Sequence, residues 1–329
     1  MVRSVTTFGD RIIMVENGSD ISKILIAYDG SGYAHGVLGE LRSSGLPKKA
    51  QIIIISVCEI WLPTGAPRII IGQLNREEKA CFQKHREQID RNMTETMANV
   101  RLAQEELLSF FPDWSVEVEV ICGSPAREIL EKASKFRPDL IVIGERGLSS
   151  DEDTGLGSTS QIVLAEARCT VRISRFRSPP SDSNLTVIVG FDGSPGSITA
   201  IRKVASRPWK TKPTIRLVTV TDPFTLLKPG RVFQPIEGMV EGRMEGETKW
   251  ANNLARDAIH LLREVSYPAT LHIYSGNPQM VLISAATKWN ADAIFLGATS
   301  ETSLSEKYSL GCVALAIANR APCSVEVVR

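Results

Sequence analysis

Residues 140–158 read Leu140-Ile-Val-Ile-Gly144, then Glu145-Arg146-Gly147, nine further residues, and Gly157-Ser158. The apolar run before the first glycine is typical of a short buried strand, and glycine lets the backbone turn sharply and pass close to a ligand. A helical pattern opens at Gly157-Ser158. At such a helix start, free backbone N–H groups and the positive end of the helix dipole bind anions. The glycine loop, as residues 145–157 are called below, is therefore predicted to be a nucleotide phosphate site.

The composition is that of an ordinary globular protein and excludes some classes of partner. The length of 329 residues predicts about two domains, and 43% hydrophobic with 23% charged residues is a typical balance. The formal net charge of +1 gives no general attraction for nucleic acid or for an anionic membrane, so neither is expected as a partner. The apolar run Ile52–Ile55 is far too short to span a bilayer.

Two further features predict a cytoplasmic location. The first 20 residues carry five charged side chains and no apolar core, unlike a secretory signal. The six cysteines are scattered without CxxC spacing, which favours buried reduced thiols over a metal site. Reduced thiols are typical of the cytoplasm, so we expect the protein there.

One pattern occurs twice along the chain. Residues 186–194 match residues 23–31 position for position, and residues 292–297 match residues 139–144. In each copy, strand and helix patterns alternate, which favours a parallel sheet covered by helices on both faces. The predicted fold class is therefore α/β, with two tandem five-stranded parallel-sheet domains.

The repeat also gives the expected domain boundaries. An N-terminal extension covers 1–22, the first domain covers 23–176, and the second domain covers 185–329. The linker at 177–184 is rich in serine and proline, as linkers often are. Within the extension, residues 11–15 are predicted to form a short edge strand.

The glycine spacing and the repeat together resemble the universal stress protein family in its tandem two-domain form. Members that bind ATP carry a G-x2-G-x9-G-[S/T] motif, and Gly144, Gly147, Gly157 and Ser158 stand at that spacing. The resemblance covers residues 23–329. It implies a Rossmann-like fold of the adenine nucleotide α-hydrolase type.

The resemblance also implies how an adenine nucleotide is held. Asp29 and the backbone of Val57 hold the adenosine end, while the glycine loop and Ser158 hold ribose and phosphates. The residues expected to bind nucleotide are Asp29, Gly30, Val57, Gly144, Arg146, Gly147, Gly157, Ser158 and Thr159. ATP is the expected ligand, and ADP or AMP would also fit. No residue stands out as catalytic.

Several of these residues have a second interpretation. Asp29 is also a good turn residue beside Gly30. Gly144 and Gly147 also suit close packing of a strand on a helix. Ser158 is also compatible with a purely capping role, because capping and phosphate binding use the same helix end.

The charged residues of the loop have two interpretations as well. Arg146 either reaches a phosphate or faces solvent. Asp151 and Asp153 either form a solvated loop tip or hold Mg²⁺ together with the phosphates, since Mg²⁺ prefers carboxylate and phosphate oxygens. We keep both carboxylates as weak metal candidates.

The second copy departs from the motif. Gly297 is present, but Ser300 replaces the second glycine, and Gly311-Cys312 stands where Gly157-Ser158 stood after a loop one residue longer. If the second glycine position needs a positive φ, a serine there costs about 1 kcal/mol or more. Cys312 is also a poorer phosphate donor than a serine hydroxyl. We therefore expect nucleotide in the first domain and an empty or weaker site in the second.

The expected partners follow from the repeat and from the family. Strands 169–176 and 322–328 are expected to pair as an internal pseudo-dimer. A homodimer of whole chains remains open. So does an unidentified protein partner, for which the long loops 59–75 and 222–236 offer surface, unless those loops act as lids.

Three functions remain for the whole chain. The first is a stress-response protein that binds ATP in its first domain and acts as a nucleotide-dependent regulator. The second is a slow ATPase or a nucleotidyl-transfer enzyme, although the HxGH-type and SGGxDS-type signatures of related folds are absent, so enzymatic activity beyond weak ATP hydrolysis is not expected. The third is a stress scaffold without a ligand.

Overall fold

The computed structural model describes residues 5–8, 11–14, 22–59, 76–147, 155–175, 185–221, 255–298 and 310–329. The linker 177–184 and the loop 222–236 lie outside the described residues, as does nearly all of the loop 59–75. Residues 148–154 of the glycine loop also lie outside them.

The first copy alternates strands and helices as its sequence pattern predicts. After a hairpin of β1 (Val5–Phe8) and β2 (Arg11–Met14), its elements are β3 (Ser22–Ala27), α1 (Gly32–Leu41), β4 (Ala50–Glu59), α2 (Arg76–Phe110), β5 (Ser115–Gly123), α3 (Pro125–Phe136), β6 (Leu140–Gly144), α4 (Ser158–Glu166) and β7 (Thr170–Ser174).

The second copy repeats this order. Its elements are β8 (Thr186–Gly190), α5 (Pro195–Ala205), β9 (Thr214–Thr221), α6 (described over 255–264), β10 (Ala269–Ser275), α7 (Pro278–Lys288), β11 (Ala293–Gly297), α8 (Cys312–Arg320) and β12 (Ser324–Val328). The local signals are plain: the buried β-branched run Ile52–Ile55 forms the centre of β4, and Pro125 occupies the first turn of α3.

All ten strands of the two copies form one sheet, with the order β10-β9-β8-β11-β12-β7-β6-β3-β4-β5. Within each copy every pairing is parallel. This confirms the predicted α/β class with two tandem five-stranded parallel units. Between the copies, β7 and β12 pair antiparallel, so the strands of one copy run opposite to those of the other.

The N-terminal extension differs in one respect from its prediction. Residues 11–14 do form a strand, but β2 pairs antiparallel with β1 in a separate two-stranded sheet. Phe8 is the register partner of Arg11. Only two residues separate the strands in sequence, so β1 supplies the hydrogen bonds of β2 locally.

The apolar core has three clusters, and one of them crosses between the copies. One cluster lies under α1 and α2 and a second under α5 and α6. The third contains residues of α4 and β7 together with residues of α8 and β12, including Leu164, Val171, Ile317 and Val325. Because these residues share one buried cluster, neither copy has a complete core on that face alone.

A buried ion pair lies at the centre of the seam, as we call the antiparallel β7–β12 pairing. Arg172 and Glu326 occupy equivalent positions in the two copies and are register partners. Their side chains are 1% and 0% exposed, with 3.1 Å between the guanidinium and the carboxylate. Glu40 also pairs with Arg172, and Arg207 with Glu326. Burial opposes the charge of Arg172, but the two carboxylates outweigh it and raise its pKa.

A second pair of arginines crosses the seam reciprocally. Arg175 donates to the carbonyl oxygens of Ala318 and Cys323 in the second copy. Arg329, the equivalent residue of the second copy, donates to those of Leu164 and Cys169 in the first. Each arginine thus satisfies carbonyl groups at the end of a helix and at the start of a strand in the other copy.

We expect Glu326→Leu to lower the free energy of unfolding by about 3–5 kcal/mol, because it leaves buried arginines without their shared carboxylate. The matched control is Glu131→Leu, which breaks the exposed pair with Lys135 and should cost far less, because solvent screens exposed pairs. Urea denaturation followed by circular dichroism measures both. Equal costs for the two variants would contradict the importance given to the seam pair.

Candidate functional site

The site candidates lie at the carboxyl edge of the first copy, where the direction of strand winding reverses. From β3 the chain continues to β4 and β5, then returns to place β6 on the other side of β3. Ligands of open α/β sheets bind at such a reversal. The loops after β3 and β6 flank this crevice, and they contain Asp29 and the glycine loop.

Asp29 and Val57 lie at neighbouring positions along this edge. Ala27 is the register partner of Ile55, and the N–H of Tyr28 continues the ladder by donating to the carbonyl of Ile55 at 2.9 Å. Two residues further along each strand are Asp29 and Val57. Val57 is half-buried against the shared core cluster, so the β4 side of the crevice is apolar.

Asp29 has a structural role in its turn. One carboxylate oxygen accepts from the N–H of Ser31 at 3.0 Å, and Gly30 between them has φ +77°, a conformation that favours glycine. Asp192 makes the same contact with the N–H of Ser194 at 3.0 Å in the second copy. The turn interpretation of Asp29 therefore holds in both copies.

The other carboxylate oxygen of Asp29 faces the glycine loop. A Cβ at position 147 would lie 2.8 Å from Oδ2 of Asp29, closer than side-chain carbons approach such an atom. The structure thus brings together Asp29 and Gly147, which are far apart in sequence. The backbone of Gly147 does not have a positive φ, so the strain argument for this position is wrong. Space beside Asp29, not backbone conformation, explains the glycine.

The two ends of the glycine loop are joined at their base. The N–H of Gly157 donates to the carbonyl of Glu145 at 2.8 Å, and a Cβ at position 157 would lie 3.6 Å from the Cα of Arg146. Gly157 is the N-cap of α4 and offers no side chain to the helix end. Ser158 is exposed and Thr159 half-buried at that end, and among the described residues no side chain caps the first N–H groups of α4.

Arg146 does not extend away from the loop. Its Nε donates to the carbonyl of Gly155 at 3.2 Å, so its side chain spans the loop from one end to the other. Neither the solvent-facing nor the phosphate-reaching interpretation anticipates this contact. The structural role of Arg146 is to brace the loop.

Two residues near the crevice have no counterpart among the sequence candidates. Ser160 is buried and donates to the carbonyl of Gly144 at 2.7 Å, which joins α4 to the end of β6. Asn99 of α2 borders Gly30, since a Cβ there would lie 3.5 Å from its amide nitrogen. Ser160 follows Gly157 in a run of hydroxyl residues that marks the helix start, but only the fold shows which hydroxyl turns inward.

Tyr28, the residue before Asp29, is buried and stays neutral. Burial, with smaller effects of Glu106 and Asp29, raises its pKa to about 12. Its hydroxyl lies 3.0 Å from Nε2 of His35. Tyr28 is therefore a neutral, hydrogen-bonded residue of the core under α1 and α2.

The second copy keeps the frame of the site but loses several of its parts. The N–H of Gly311 donates to the carbonyl of Ala298 at 2.7 Å, as in the first copy. Ala314 stands where Ser160 stands, so the inward hydroxyl is missing. A Cβ at Gly297 would lie 2.5 Å from the backbone of Gly196, which makes this glycine a packing residue. Ser300 lies outside the described residues.

Metal candidates and membrane spans receive no support from the described residues. Asp151 and Asp153 lie outside them, and within them no three His, Cys, Asp or Glu side chains are grouped to hold a metal. None of the helices described has both the length and the apolar content that crossing a bilayer requires. Five cysteines are described and none is in a disulfide. Burial raises the pKa of Cys169 to about 11, as expected of a core thiol.

Comparison with known proteins gives a consistent result for both copies. The sequence pattern of the Universal stress protein family matches residues 21–175 and again residues 184–329. A universal stress protein of Thermus aquaticus is 30% identical over 152 residues, which are 46% of this chain and 97% of that protein. One of Synechocystis is 29% identical over 157 residues, 46% of this chain and 96% of that protein.

The whole chain is also similar in fold to solved structures. The crystal structure of a universal stress protein from Archaeoglobus fulgidus covers 93% of this chain and 96% of its own, with a TM-score of 0.56 at 19% identity. One from Pseudomonas aeruginosa covers 94% of this chain and 93% of its own, with a TM-score of 0.55 at 12% identity. Both structural matches cover the two copies together.

We expect Ser160→Ala to lower the free energy of unfolding by about 1–2 kcal/mol, because the carbonyl of Gly144 loses its buried donor. Ser158→Ala is the matched control. It removes an exposed hydroxyl two residues away on the same helix and should change stability by less than about 0.5 kcal/mol. Thermal unfolding measures both, and an equal loss in the control would argue against an inward-facing role specific to Ser160.

Proposed function

This chain is a tandem member of the universal stress protein family, and we propose that it binds one adenine nucleotide, ATP, in the crevice of its first copy. Family membership supports a stress-response protein. The finer proposal is that the occupied crevice regulates the contacts of the protein with a partner. We also propose that the two domains are residues 23–176 and 185–329, joined by a linker.

The contact between Asp29 and Gly147 carries the proposal. The G-x2-G-x9-G-S spacing indicates a nucleotide site only if its loop lies beside Asp29, the residue assigned to the adenosine end. The approach of 2.8 Å between a Cβ at 147 and the Asp29 carboxylate brings these two parts of the expected site into one crevice. Close packing against Asp29 accounts for a glycine at 147, and the place of this packing, between the residue assigned to the adenosine end and the loop assigned to the phosphates, supports the proposal.

Each candidate residue then has a distinct assignment. Asp29 accepts from hydroxyl groups of the adenosine end, beside the backbone of Val57. The phosphates lie at the start of α4, where the first backbone N–H groups, Ser158 and Thr159 donate to them. Gly144, Gly147 and Gly157 keep the surrounding backbone free of side chains. Arg146 braces the loop through Nε, and the rest of its guanidinium stays a candidate phosphate donor, as expected from the sequence.

Mg²⁺ is a secondary part of the proposal. A cation between the phosphates and Asp151 or Asp153 would offset the repulsion between these carboxylates and a nucleotide, since Mg²⁺ binds through carboxylates and phosphate oxygens. ADP or AMP would need less compensation because they carry fewer phosphate charges. Titration of each nucleotide with and without Mg²⁺ separates these cases.

We propose that the second copy binds adenine nucleotide more weakly than the first, or not at all. Its motif lacks the second glycine, the inward hydroxyl of Ser160 is replaced by Ala314, and Cys312 begins the helix. Each change removes a donor or space that the first copy has. A regulatory role through a protein partner, a homodimer of whole chains and a cytoplasmic location remain part of the proposal.

Two simple measurements distinguish this proposal from its alternatives. The first measurement is the amount of nucleotide released when the purified protein is denatured. One nucleotide per chain supports the proposal, and no released nucleotide would favour a ligand-free scaffold. ADP that accumulates with time in the presence of ATP would favour a slow ATPase. A ratio of two would contradict the assignment of the second copy.

We expect Asp29→Asn to weaken ATP binding at least tenfold. The asparagine keeps the acceptor for the N–H of Ser31 but removes the charge assigned to the adenosine end. Asp192→Asn makes the same change in the matching turn of the second copy, and ATP affinity should stay within twofold of the parent. Isothermal titration calorimetry measures both. Affinity within twofold of the parent in Asp29→Asn would show that Asp29 has no role beyond its turn.

We expect Gly147→Val to abolish measurable ATP binding while the fold persists, because the side chain would occupy the space beside the Asp29 carboxylate. Gly39→Val is the control, since a Cβ at Gly39 meets nothing within 4 Å. Calorimetry gives the affinities and circular dichroism the fold. Unchanged affinity in Gly147→Val would overturn the assignment of the glycine loop.

A further inference from the structure

The exit of the glycine loop, residues 155–157, lies against the second copy. The N–H of Leu156 donates to Oδ1 of Asn319 at 3.3 Å, and a Cβ at Gly155 would lie 3.9 Å from the same oxygen. The side chain of Leu156 is buried in the core cluster that both copies share. The amide of Asn319 also donates to the carbonyl of Leu315 at 3.0 Å, which orients it on α8.

The entrance of the loop is also tied to the second copy. Glu145 accepts from Nε of Arg175 at 2.8 Å through its carboxylate. The other two guanidinium nitrogens of Arg175 are held by the carbonyls of Ala318 and Cys323. The carbonyl of Glu145 is the acceptor that closes the loop against Gly157. Both ends of the loop therefore rest on groups near the C-terminus of α8.

The antiparallel seam explains why α8 reaches this loop. Helix α8 begins at the carboxyl edge of the second copy and ends near its amino edge, just before β12 begins. Because the strands of the two copies run in opposite directions, that amino edge lies beside the carboxyl edge of the first copy. The last turn of α8 thus meets the glycine loop.

Among the described residues, the contacts that hold the loop ends run from the second copy to the first. Ala165 stands in the first copy where Asn319 stands in the second, and Ala298 stands where Glu145 stands. A methyl group accepts no hydrogen bond. In agreement, Nε of Arg329 is buried without a partner among the described residues, whereas Nε of Arg175 reaches Glu145. Over the part of the chain that the structure describes, the second copy supports the loop of the first without a matching contact in return.

We propose that Asn319 is a positioning residue for the nucleotide site of the first copy, an inference that rests on the proposed function of that site. By holding the N–H of Leu156, it keeps the loop exit and the start of α4 in the arrangement that receives phosphate. A loop ordered in advance loses less conformational entropy on binding. The second copy thereby acts as part of the binding site without touching the ligand.

The test compares three variants of the full-length chain. Asn319→Ala removes the acceptor, whereas Asn319→Asp keeps an oxygen in its place. Arg320→Ala, an exposed change in the same turn of α8, is the control. Titration calorimetry with ATP gives the affinity, and hydrogen exchange of the ligand-free protein reports protection of the Leu156 amide.

We expect Asn319→Ala to weaken ATP binding three- to tenfold and to speed exchange at Leu156, while Asn319→Asp and Arg320→Ala stay within twofold of the parent. Faster exchange with unchanged affinity would overturn the positioning role, and so would no change in either. If the parent chain binds no adenine nucleotide, the proposed function fails. Exchange at Leu156 then still decides whether Asn319 holds the loop.

Discussion

The buried pair of Arg172 and Glu326 is the interaction on which the rest of the molecule depends. Two charges without exposure are tolerated only when each meets a partner. Each has one partner in its own copy, Glu40 for Arg172 and Arg207 for Glu326, and each is the other's partner across the seam. The pair therefore favours the antiparallel register of β7 and β12 over a slipped one, in which both charges would face apolar neighbours. From that register follow the single ten-stranded sheet, the shared core cluster and the contact of α8 with the glycine loop.

The two copies share a frame but differ in their polar parts. The Asp-Gly-Ser turn, the closure of the loop base and the reciprocal arginines occur in both. Ser160, Glu145 and the glycine at 147 occur only in the first copy. These are the residues that shape or anchor the crevice. The difference between the copies is therefore concentrated at one edge of the sheet, while the packing that joins them is nearly symmetric.

Local signals were enough to predict the fold, because apolar runs, glycines and prolines influence the backbone conformation of their own segment of the sequence. The side-chain contacts of the site were less predictable. That Arg146 turns back to Gly155, or that Gly147 is small because of Asp29, depends on residues brought together by the fold. The ion pair had a visible signal that went unused: Arg172 and Glu326 have opposite charges at equivalent positions of a repeat whose last strands were expected to pair.

A pair of opposite charges at equivalent positions is impossible in a symmetric dimer of one copy, where residue 172 would face another residue 172 across the two-fold axis. In such a dimer every substitution also appears twice, once in each binding site. Here each substitution appears once. Because the two copies are covalently connected, their facing surfaces need not be identical. One copy can therefore specialise for a ligand and the other for supporting its neighbour. Glu145 and Asn319, which occur in one copy each, illustrate this difference.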